Sequence, residues 1–321
     1  MSLARFDGPT LTLVVNPSAG GGRAKRLLPK VCTTLLTELP GANLRVFQTT
    51  DYAEARLRCV QAVAHARPAV EGVRGDALLV MGGDGMAHLG LNACAESEVA
   101  LGVIPAGTGN DFCRGVGIPS SVPAALRTIV AGHHTRIDLL EVSGRLVGGA
   151  ERRFVGCILS TGFDSRVGLR ASAVKLPLGS LSYAYVALSE LATFEPLSYR
   201  LTVDSHPRSE PAMMVCVGNT AVFGGGMRAC PDADPTDGLL DVTIIHPVSK
   251  ATFLRLLPTM YTGGFAKDPA VERFRAREVV IDGVGLYGSA DGEELGPVPL
   301  VATSRPGVLT IFTPGVPGST R

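Results

Sequence analysis

The sequence predicts two domains, an α/β domain with a doubly wound parallel sheet followed by an antiparallel β domain. Its 321 residues exceed what a single hydrophobic core usually supports. Short apolar runs alternate with helical patterns in the first part of the chain, which favours a parallel sheet with helices on both faces. After about residue 137, strand-like runs recur between Gly- and Pro-rich turns, which is typical of antiparallel β structure.

The first domain is predicted from four apolar strands with helices between them. We expect strands at 11–15, 44–47, 77–81 and 99–104, helices at 23–39 and 53–65, a helix through Asn92, and a further helical stretch after Asp111. In an open parallel sheet, ligands bind at the loops that follow the strands. The loops of this domain are therefore the first place to look for a site.

The second domain is predicted from strands at 153–160, 198–204, 213–217, 240–245 and 278–281. The change of pattern puts the domain boundary near residue 137, to within roughly ten residues.

Composition excludes several classes of protein. Hydrophobic residues make up 45% and charged residues 18% of the chain, as in a compact globular protein. Lys and Arg total 30 against 29 Asp and Glu, so no overall field draws the chain to nucleic acid or to an anionic membrane. Seven widely spaced Cys without a C-x-x-C pair indicate buried free thiols in a reducing compartment.

Targeting and membrane signals point to a cytoplasmic protein. The first ten residues lack the apolar core of a secretory signal. The longest charge-free stretches, 176–189 and 211–227, are too short and too interrupted to span a bilayer. We expect at most a peripheral association with a membrane.

Three Gly-rich loops each follow a predicted strand, at 16–22, 82–85 and 107–111. Glycine lets backbone N–H groups approach a polyanion, and a following helix adds its N-terminal partial charge. One such loop is most often an ordinary turn, but three at corresponding strand ends predict a site for nucleotide phosphates. The P-loop and Rossmann fingerprints are both absent.

These loops resemble the nucleotide motifs of the diacylglycerol kinase catalytic domain family, which is related to sphingosine and ceramide kinases and to bacterial lipid kinases. The motifs that carry the resemblance are VNPSAGG at 15–21, GGDG at 82–85, GTGNDF at 107–112, VGN at 217–219, PDADPTDGLLD at 231–241 and DGE at 291–293. The resemblance implies a lipid kinase that uses ATP and Mg²⁺, most simply with diacylglycerol as acceptor and phosphatidic acid as product.

The resemblance also implies which ligand each domain binds. Residues 8–137 would bind ATP, together with a strand that returns at 305–317 and contains VLTIFT at 308–313. Residues 138–304 would form a β-sandwich that binds the lipid. The partner of the protein would be a lipid substrate presented by a membrane, and both a monomer and a homodimer are open.

Nucleotide-binding residues follow from the resemblance position by position. They are Asn16, Pro17, Ser18, Ala19, Gly20, Thr50, Gly82, Gly83, Asp84, Gly85, Thr108, Asn110 and Asp111. Thr49 is an almost equal candidate to Thr50. Asp84 would also hold the catalytic Mg²⁺ through water, since a carboxylate suits a hard cation. Read alone, Asn110 and Asp111 indicate a helix N-cap.

Glu293 is the residue that the resemblance assigns to proton transfer, because an unactivated lipid hydroxyl needs a positioned carboxylate to accept its proton. The alternative for Asp291-Gly292-Glu293-Glu294 is a hairpin turn, the commoner meaning of Asp-Gly in a β domain.

A structural Mg²⁺ site is implied at the aspartate-rich segment, with the Asp237 carboxylate and main-chain oxygens at Asp234 and Leu239. The alternative is a solvated turn shaped by Pro231 and Pro235. The spacing does not fit a calcium loop.

One departure and three alternatives accompany this interpretation. Met86-Ala87-His88-Leu89 replaces the Thr and acidic residue common in bacterial members, although sphingosine kinases also carry an apolar residue and then a His near this position. NAD kinase shares GGDG and the two-domain plan, but the motifs at 16–18 and 237–239 oppose it. A lipid- or nucleotide-binding protein without turnover is the second alternative, and ceramide, sphingosine or polyprenol could replace diacylglycerol.

Membrane contact is expected to be apolar, at 174–194 or at 253–265, although each stretch could equally be core. Such contact would be insensitive to salt. Salt-sensitive binding would instead indicate basic residues such as Arg166, Arg170 and Lys175.

Overall fold

The computed structural model describes residues 8–70, 74–173 and 180–314. The chain divides into two compact units. Unit one holds the chain up to Asp138 and from Gly307 onward, and unit two is Leu139–Pro306.

Unit one is an α/β unit in which strands and helices alternate. Its elements are β1 (Thr10–Val15), α1 (Ala19–Glu38), β2 (Asn43–Gln48), α2 (Tyr52–Ala64), β3 (Ala77–Gly82), α3 (Asp84–Cys94), β4 (Ala100–Pro105), α4 (Asp111–Gly115) and α5 (Val122–Ala131). The last strand of the described chain, Leu300–Phe312, ends in this unit, where Ile311 pairs in parallel with Leu101.

The sheet of unit one is parallel, with β2, β1, β3 and β4 in that order and the returning strand next to β4. All six residues of β1 and of β3 are buried, as expected for central strands that are covered on both faces. Helix α1 packs against them through Ala24, Leu28, Val31 and Leu35, which recur at the spacing of one helix face.

Unit two is all-β apart from a few helices. Its elements are β5 (His134–Gly144), β6 (Arg152–Val155), β7 (Ile158–Gly162), α6 (Phe163–Ala173), α7 (Ser180–Thr193), β8 (Leu197–Val203), β9 (His206–Ala212), β10 (Met214–Gly218), β11 (Leu240–Ile245), α8 (Lys250–Thr259), β12 (Val271–Ala276), β13 (Glu278–Gly283), β14 (Tyr287–Ala290), β15 (Glu293–Pro297) and β16 (Leu300–Phe312). Short 3₁₀ turns lie at Val147–Gly149, Met260–Thr262 and Gly264–Lys267.

Two antiparallel sheets of unit two enclose one core. The first contains β16, β13, β8 and β9 in that order, with β5 and β6 joined to it, and the second has the order β12, β11, β10, β7, β14, β15. Side chains of both sheets meet in one buried cluster, with Val142, Leu201 and Ile281 from the first and Leu159, Val217 and Val242 from the second. The predicted fold class, a parallel-sheet domain with a β-sandwich domain, is confirmed.

One predicted strand is wrong. Residues 153–160 were expected to form a single strand, but β6 belongs to the first sheet and β7 to the second. The break falls at Gly156 and Cys157, whose N–H groups donate to the Asp291 carboxylate at 2.7 and 2.9 Å. A carboxylate from a distant turn therefore takes the place of a neighbouring strand at this point.

The described side chains of the two apolar stretches lie partly in the core and partly at the surface. Of residues 174–194, the segment 174–179 with Lys175 and the side chains of 180–185 lie outside the described residues. In the rest of that stretch Val186, Leu191 and Phe194 are buried and Leu188 is exposed. No helix among residues 8–70, 74–173 and 180–314 is long and apolar enough to cross a bilayer.

Helix α8 and the turns after it show the same division. Phe253, Leu256, Met260 and Phe265 are buried, whereas Leu254 and Tyr261 are about half exposed. This stretch therefore divides its apolar side chains between the core and the surface.

Candidate active site

The three Gly-rich loops of unit one meet at the carboxyl ends of β1, β3 and β4. The Asn16 N–H donates to the Met81 carbonyl at 3.0 Å, and the N–H groups of Ala106 and Gly107 donate to the Gly82 carbonyl at 2.8 and 2.9 Å. Because parallel strands end at the same edge of a sheet, residues separated by up to 90 positions come together here. The structure thus places the three predicted phosphate loops at one site.

Close backbone contacts explain two of the glycines. A Cβ on Gly20 would lie 2.3 Å from the Ala106 carbonyl oxygen, and a Cβ on Gly107 would lie 2.3 Å from the Gly83 Cα. Both distances are far shorter than van der Waals contact, so larger residues would push the loops apart. These glycines let the first loop pack on the third and the second loop pack on the third.

The first loop has an unusual backbone course. Gly20, Gly21 and Gly22 have φ of 59°, 63° and 83°, so the regular turns of α1 begin after them, at the predicted Arg23. Before them, the Asn16 side-chain oxygen accepts hydrogen bonds from the Ser18 N–H and hydroxyl at 3.1 and 2.7 Å. Asn16 therefore shapes the loop, in addition to any contact with a ligand.

Asp84 connects the second loop to the third. Its Oδ2 accepts a hydrogen bond from the Asn110 N–H at 2.8 Å, and its Oδ1 accepts one from the Phe112 N–H at 3.2 Å. Burial raises the pKa of the Asp84 carboxyl above its ordinary value, and the negative charge of Asp111 adds to the rise. These bonds do not use the whole acceptor capacity of the carboxylate, so it can still accept from water around a cation.

Asn110 and Asp111 have partners inside their own loop. Asn110 has a left-handed backbone, and its side chain bonds the Gly107 N–H and carbonyl at 3.2 and 3.0 Å. The buried Asp111 carboxylate forms an ion pair with Arg114 at 2.9 Å. Asn110 takes the N-cap position of α4, as the Asn-Asp pair suggests, but its side chain makes no cap hydrogen bond.

The two Thr candidates lie beside the end of β1 and the start of α2. The buried Thr49 hydroxyl donates to the Val15 carbonyl at 3.1 Å. The Thr50 hydroxyl and N–H both donate to the Glu54 carboxylate, at 3.1 and 2.9 Å, while the Glu54 N–H donates to Asp51 at 2.8 Å. Asp51 thus caps α2, and Glu54 reaches back to the residue before the cap. The spacing Asp-x-x-Glu is a signal of this helix start that the prediction missed.

The residues that depart from the family pattern point into unit one. Met86, His88 and Leu89 are all buried, and a Cβ on Gly82 would collide with the Met86 side chain. The His88 ring lies 3.3 Å from the Asn92 amide nitrogen, one helical turn along α3. These side chains pack the helix behind the loops, and the contacts of Asp84 with the third loop persist beside them.

In unit two, Glu293 opens β15 directly after a tight turn at Asp291 and Gly292. Both turn residues have positive φ, 52° and 81°, as in the two-residue turns typical of β-hairpins. The hairpin alternative is therefore correct for the backbone. A hairpin turn is compatible with a role for Glu293, because the turn fixes the position of this first residue of β15.

The neighbouring Glu294 has a different environment. Its carboxylate hydrogen-bonds the Tyr287 hydroxyl on β14, and this contact is the main cause that raises the pKa of Tyr287 to about 12. Successive residues of a strand point to opposite faces, so Glu293, which is half-buried, lies on the other face. The structure thus separates the two glutamates.

The motif VGN converges with Asp291 on the same short segment. The Asn219 N–H donates to the Cys157 carbonyl at 2.8 Å, and the Asn219 amide donates to the Gly156 carbonyl at 3.3 Å. Asp291 bonds the two N–H groups of this segment from β14's end. The sequence analysis did not predict the role of Gly156 and Cys157. Periodicity cannot indicate it, because their hydrogen-bond partners are distant along the chain.

The predicted metal residues of unit two share one turn. The Asp237 N–H lies 3.4 Å from the Asp234 carbonyl, and the Asp237 carboxylate accepts from the Leu239 N–H at 3.0 Å. Arg275 approaches the same carboxylate at 3.4 Å. The donors are all oxygen, which suits Mg²⁺, but Arg275 competes for Asp237.

Another cluster could be mistaken for a metal site. Among the described residues, Glu210, His246 and Glu272 lie close enough to share an ion. Arg208 already bonds both carboxylates, at 2.6 to 3.0 Å, and holds the pKa of Glu272 below its ordinary value. Arg208 therefore already occupies the carboxylates that an ion would need.

Comparisons with known proteins agree with this geometry. The family described as "Diacylglycerol kinase catalytic domain" matches residues 10–142, and the one described as "YegS C-terminal NAD kinase beta sandwich-like domain" matches residues 157–313. The chain is 33% identical over 314 residues to a diacylglycerol kinase of Mycobacterium tuberculosis strain H37Rv, with 97% of each chain covered.

Solved structures share the fold. A diacylglycerol kinase from Bacillus anthracis matches with a TM-score of 0.72 at 22% identity, covering 95% of this chain and 97% of that one. Yeast NADH kinase matches with a TM-score of 0.53 at 10% identity, covering 96% of this chain and 84% of that one. At these identities the structural matches speak for the fold alone, and the sequence match over the full length identifies the relatives.

Proposed function

The chain belongs to the diacylglycerol kinase family, as its motifs predicted, and we propose that it transfers the γ-phosphoryl group of ATP to a hydroxyl of a lipid. Diacylglycerol is the proposed acceptor and phosphatidic acid the product. The observation that supports this most strongly is the meeting of three Gly-rich loops, joined by Asp84, in a chain that matches a diacylglycerol kinase over its whole length.

The loops of unit one would bind the phosphates of ATP. Gly20 and Gly107 allow the loops to pack closely together. Helices α1 and α3 begin directly at the loops, so their N-terminal partial charges favour an anion. Asp84 would hold Mg²⁺ through water. The hydrogen bonds from the third loop leave part of the acceptor capacity of its carboxylate unused. When bound, Mg²⁺ neutralises phosphate charge.

Asn110 would act by positioning. Its side chain closes on the Gly107 backbone, so it orders the third loop and with it the N–H groups that meet Asp84. We also assign four further loop residues to the nucleotide site, because they lie within the three loops: Pro17, Ala19, Gly85 and Thr108. We therefore assign the site mainly to backbone geometry, with Asp84 as its principal charge.

Glu293 would accept the proton of the lipid hydroxyl as the new bond to phosphorus forms. Catalysis of this kind depends on a positioned carboxylate and on charge stabilisation, and needs no covalent intermediate. Glu294 is a poorer base for this step, since Tyr287 already donates to it. The Asp291 turn fixes the start of the strand that carries Glu293.

The second Mg²⁺ would be structural. We assign it to Asp237 with the main-chain oxygens of Asp234 and Leu239, and it would replace Arg275 as the partner of the Asp237 carboxylate. The expected effect is an ordered turn and a more stable unit two.

Purified protein incubated with γ-labelled ATP, Mg²⁺ and separate lipids tests the proposal. We expect label in the product of diacylglycerol, with less in those of ceramide, sphingosine and polyprenol. Label in NAD would indicate an NAD kinase. Lipid binding without any labelled product would indicate a binding protein without turnover.

A further inference from the structure

Unit one has a groove between α1 and α5 that the proposed reaction does not use. Its volume is about 520 Å³. The floor is apolar and consists of Leu27, Val31, Val122 and Leu126, and Thr34, Ser121 and Pro123 border it. The rim carries four basic residues, Arg23, Arg26, Lys30 and Arg127.

The basic residues of the rim lack acidic neighbours in the sequence. Residues 8–37 and 112–137 contain no Asp or Glu, although the whole chain has a net charge of only +1. All four rim side chains are exposed. None of them forms a hydrogen bond or ion pair with any residue in the part of the chain that the structure describes. The rim is therefore a cluster of four exposed basic side chains without a partner among the described residues.

Several basic residues of unit two are already paired with carboxylates. Arg166 and Arg170, the alternative candidates for membrane contact, both bind the buried Glu190 carboxylate, at 2.8 and 2.5 Å. Arg208 is held by two carboxylates. Cations that are paired inside the fold gain little from a second anion, so the rim of the groove is the better anion-binding surface.

We propose that the groove between α1 and α5 binds the headgroups of anionic phospholipids at a membrane surface. Phosphate oxygens would meet the basic rim, and the upper parts of the lipid would cover the apolar floor. The proposal rests on the proposed lipid kinase function for its purpose, since the enzyme must reach a membrane substrate. The binding itself requires neither ATP nor turnover.

Charge and shape favour a lipid surface over nucleic acid. Single-stranded nucleic acid is usually bound by aromatic side chains that stack on bases. The lining residues of this groove include no aromatic side chain. A basic rim around an apolar floor instead matches an interface where charged headgroups lie above hydrocarbon.

If the groove binds anionic headgroups, attachment of the protein to a membrane is sensitive to salt. The apolar stretches of the sequence led us to expect contact that salt does not affect, but their described side chains are mostly buried. Attraction between exposed arginines and lipid phosphates is screened as the ionic strength rises. Binding should therefore weaken between low and physiological salt, and it should require anionic lipid.

Vesicle sedimentation without ATP tests the inference. The variant carries Arg26→Gln and Lys30→Gln, and the matched control carries Arg45→Gln and Arg56→Gln, which remove two exposed, unpaired arginines elsewhere on unit one. Each cation near an anionic surface contributes about five-fold in affinity. We expect the groove variant to bind mixed phosphatidylglycerol and phosphatidylcholine vesicles about 25-fold more weakly than wild type, and the control to lose much less.

Three outcomes would overturn the inference. Wild type could fail to bind the anionic vesicles, it could bind pure phosphatidylcholine equally well, or the two double variants could lose affinity equally. Retention on RNA with no retention on vesicles would also overturn it. Turnover of diacylglycerol in neutral detergent micelles separates this failure from failure of the proposed function, because micelles need no headgroup site and the groove variant should keep its activity there.

Discussion

Replacing Asp291 should destabilise unit two, although the residue lies in a turn. Its carboxylate accepts hydrogen bonds from the buried N–H groups of Gly156 and Cys157 at 2.7 and 2.9 Å. A hydrogen bond to a charged group contributes about 1.5–3 kcal/mol, and an orphaned buried N–H costs a similar amount. Since the carboxylate is itself half-exposed, we expect Asp291→Gly to lower the free energy of unfolding by about 3 kcal/mol.

The backbone at Asp291 separates this effect from strain. Its φ is 52°, a conformation that Gly adopts freely and Ala adopts at a cost of about 1 kcal/mol. Asp291→Ala should therefore be about 1 kcal/mol less stable than Asp291→Gly. Asp291→Asn tolerates the conformation and keeps one acceptor oxygen, so it should lose only about 1–2 kcal/mol.

Thermal unfolding followed by far-ultraviolet circular dichroism measures these differences, because the chain has no Trp to report by fluorescence. A unit of this size loses about 2–4 °C in Tm per kcal/mol, so Asp291→Gly should fall by about 6–12 °C. Amide hydrogen exchange gives the local check, since the Gly156 and Cys157 N–H groups should exchange much faster in the variant. Unchanged exchange at both amides would refute the assignment of Asp291 as their acceptor.

Three further predictions concern the loops and the aspartate-rich turn. Asp84→Ala should abolish most turnover and also lower stability by about 2 kcal/mol through its lost bonds to the third loop; normal turnover would remove Asp84 from the mechanism. Gly107→Ala, which puts a Cβ 2.3 Å from the Gly83 Cα, should reduce the rise in Tm caused by ATP, whereas Gly168→Ala, which meets no atom within 4 Å, should not; an equal rise in both would contradict the loop packing. Asp237→Ala should lose the stabilisation by Mg²⁺ that wild type shows, because an ion bound only to the folded state adds to its stability; an equal Mg²⁺ effect in both proteins would refute the structural site.

The fold could be predicted because each unit has strong local patterns. Central strands such as β1 and β3 are apolar throughout, and they are buried throughout. The start of the regular helix at Arg23 was marked by the three glycines before it. In the second unit, alternation and turn residues indicated antiparallel strands, although they could not show which sheet each strand would join.

What the sequence could not show were partners distant along the chain. The break between β6 and β7 depends on a carboxylate 134 residues away from Cys157. The same limit applies to Asp84, whose bonds to the third loop make it a connector of loops as well as a candidate metal residue. The local helix cap at Asp51 was predictable from the sequence, whereas the family resemblance pointed to Thr50, which bonds Glu54.

The burial of apolar side chains was a second limit. The sequence of helix α8 suggests a candidate membrane surface, yet Phe253 and Leu256 lie in the core. Periodicity shows that one face of a helix is apolar, but not whether protein or lipid covers it. The groove between α1 and α5 was invisible for the opposite reason, because its rim and floor come from segments about 100 residues apart.

The most direct test of the central claim is transfer of label from γ-labelled ATP to diacylglycerol in mixed micelles, by wild type, Glu293→Gln and Glu294→Gln. The neighbouring glutamate is the matched control, since it differs from Glu293 mainly in facing Tyr287. We expect wild type to form labelled phosphatidic acid, Glu293→Gln to lose about 100-fold or more in rate, and Glu294→Gln to stay within a few-fold of wild type. Failure of wild type to label any lipid, or equal rates for the two variants in folded protein, would contradict the account.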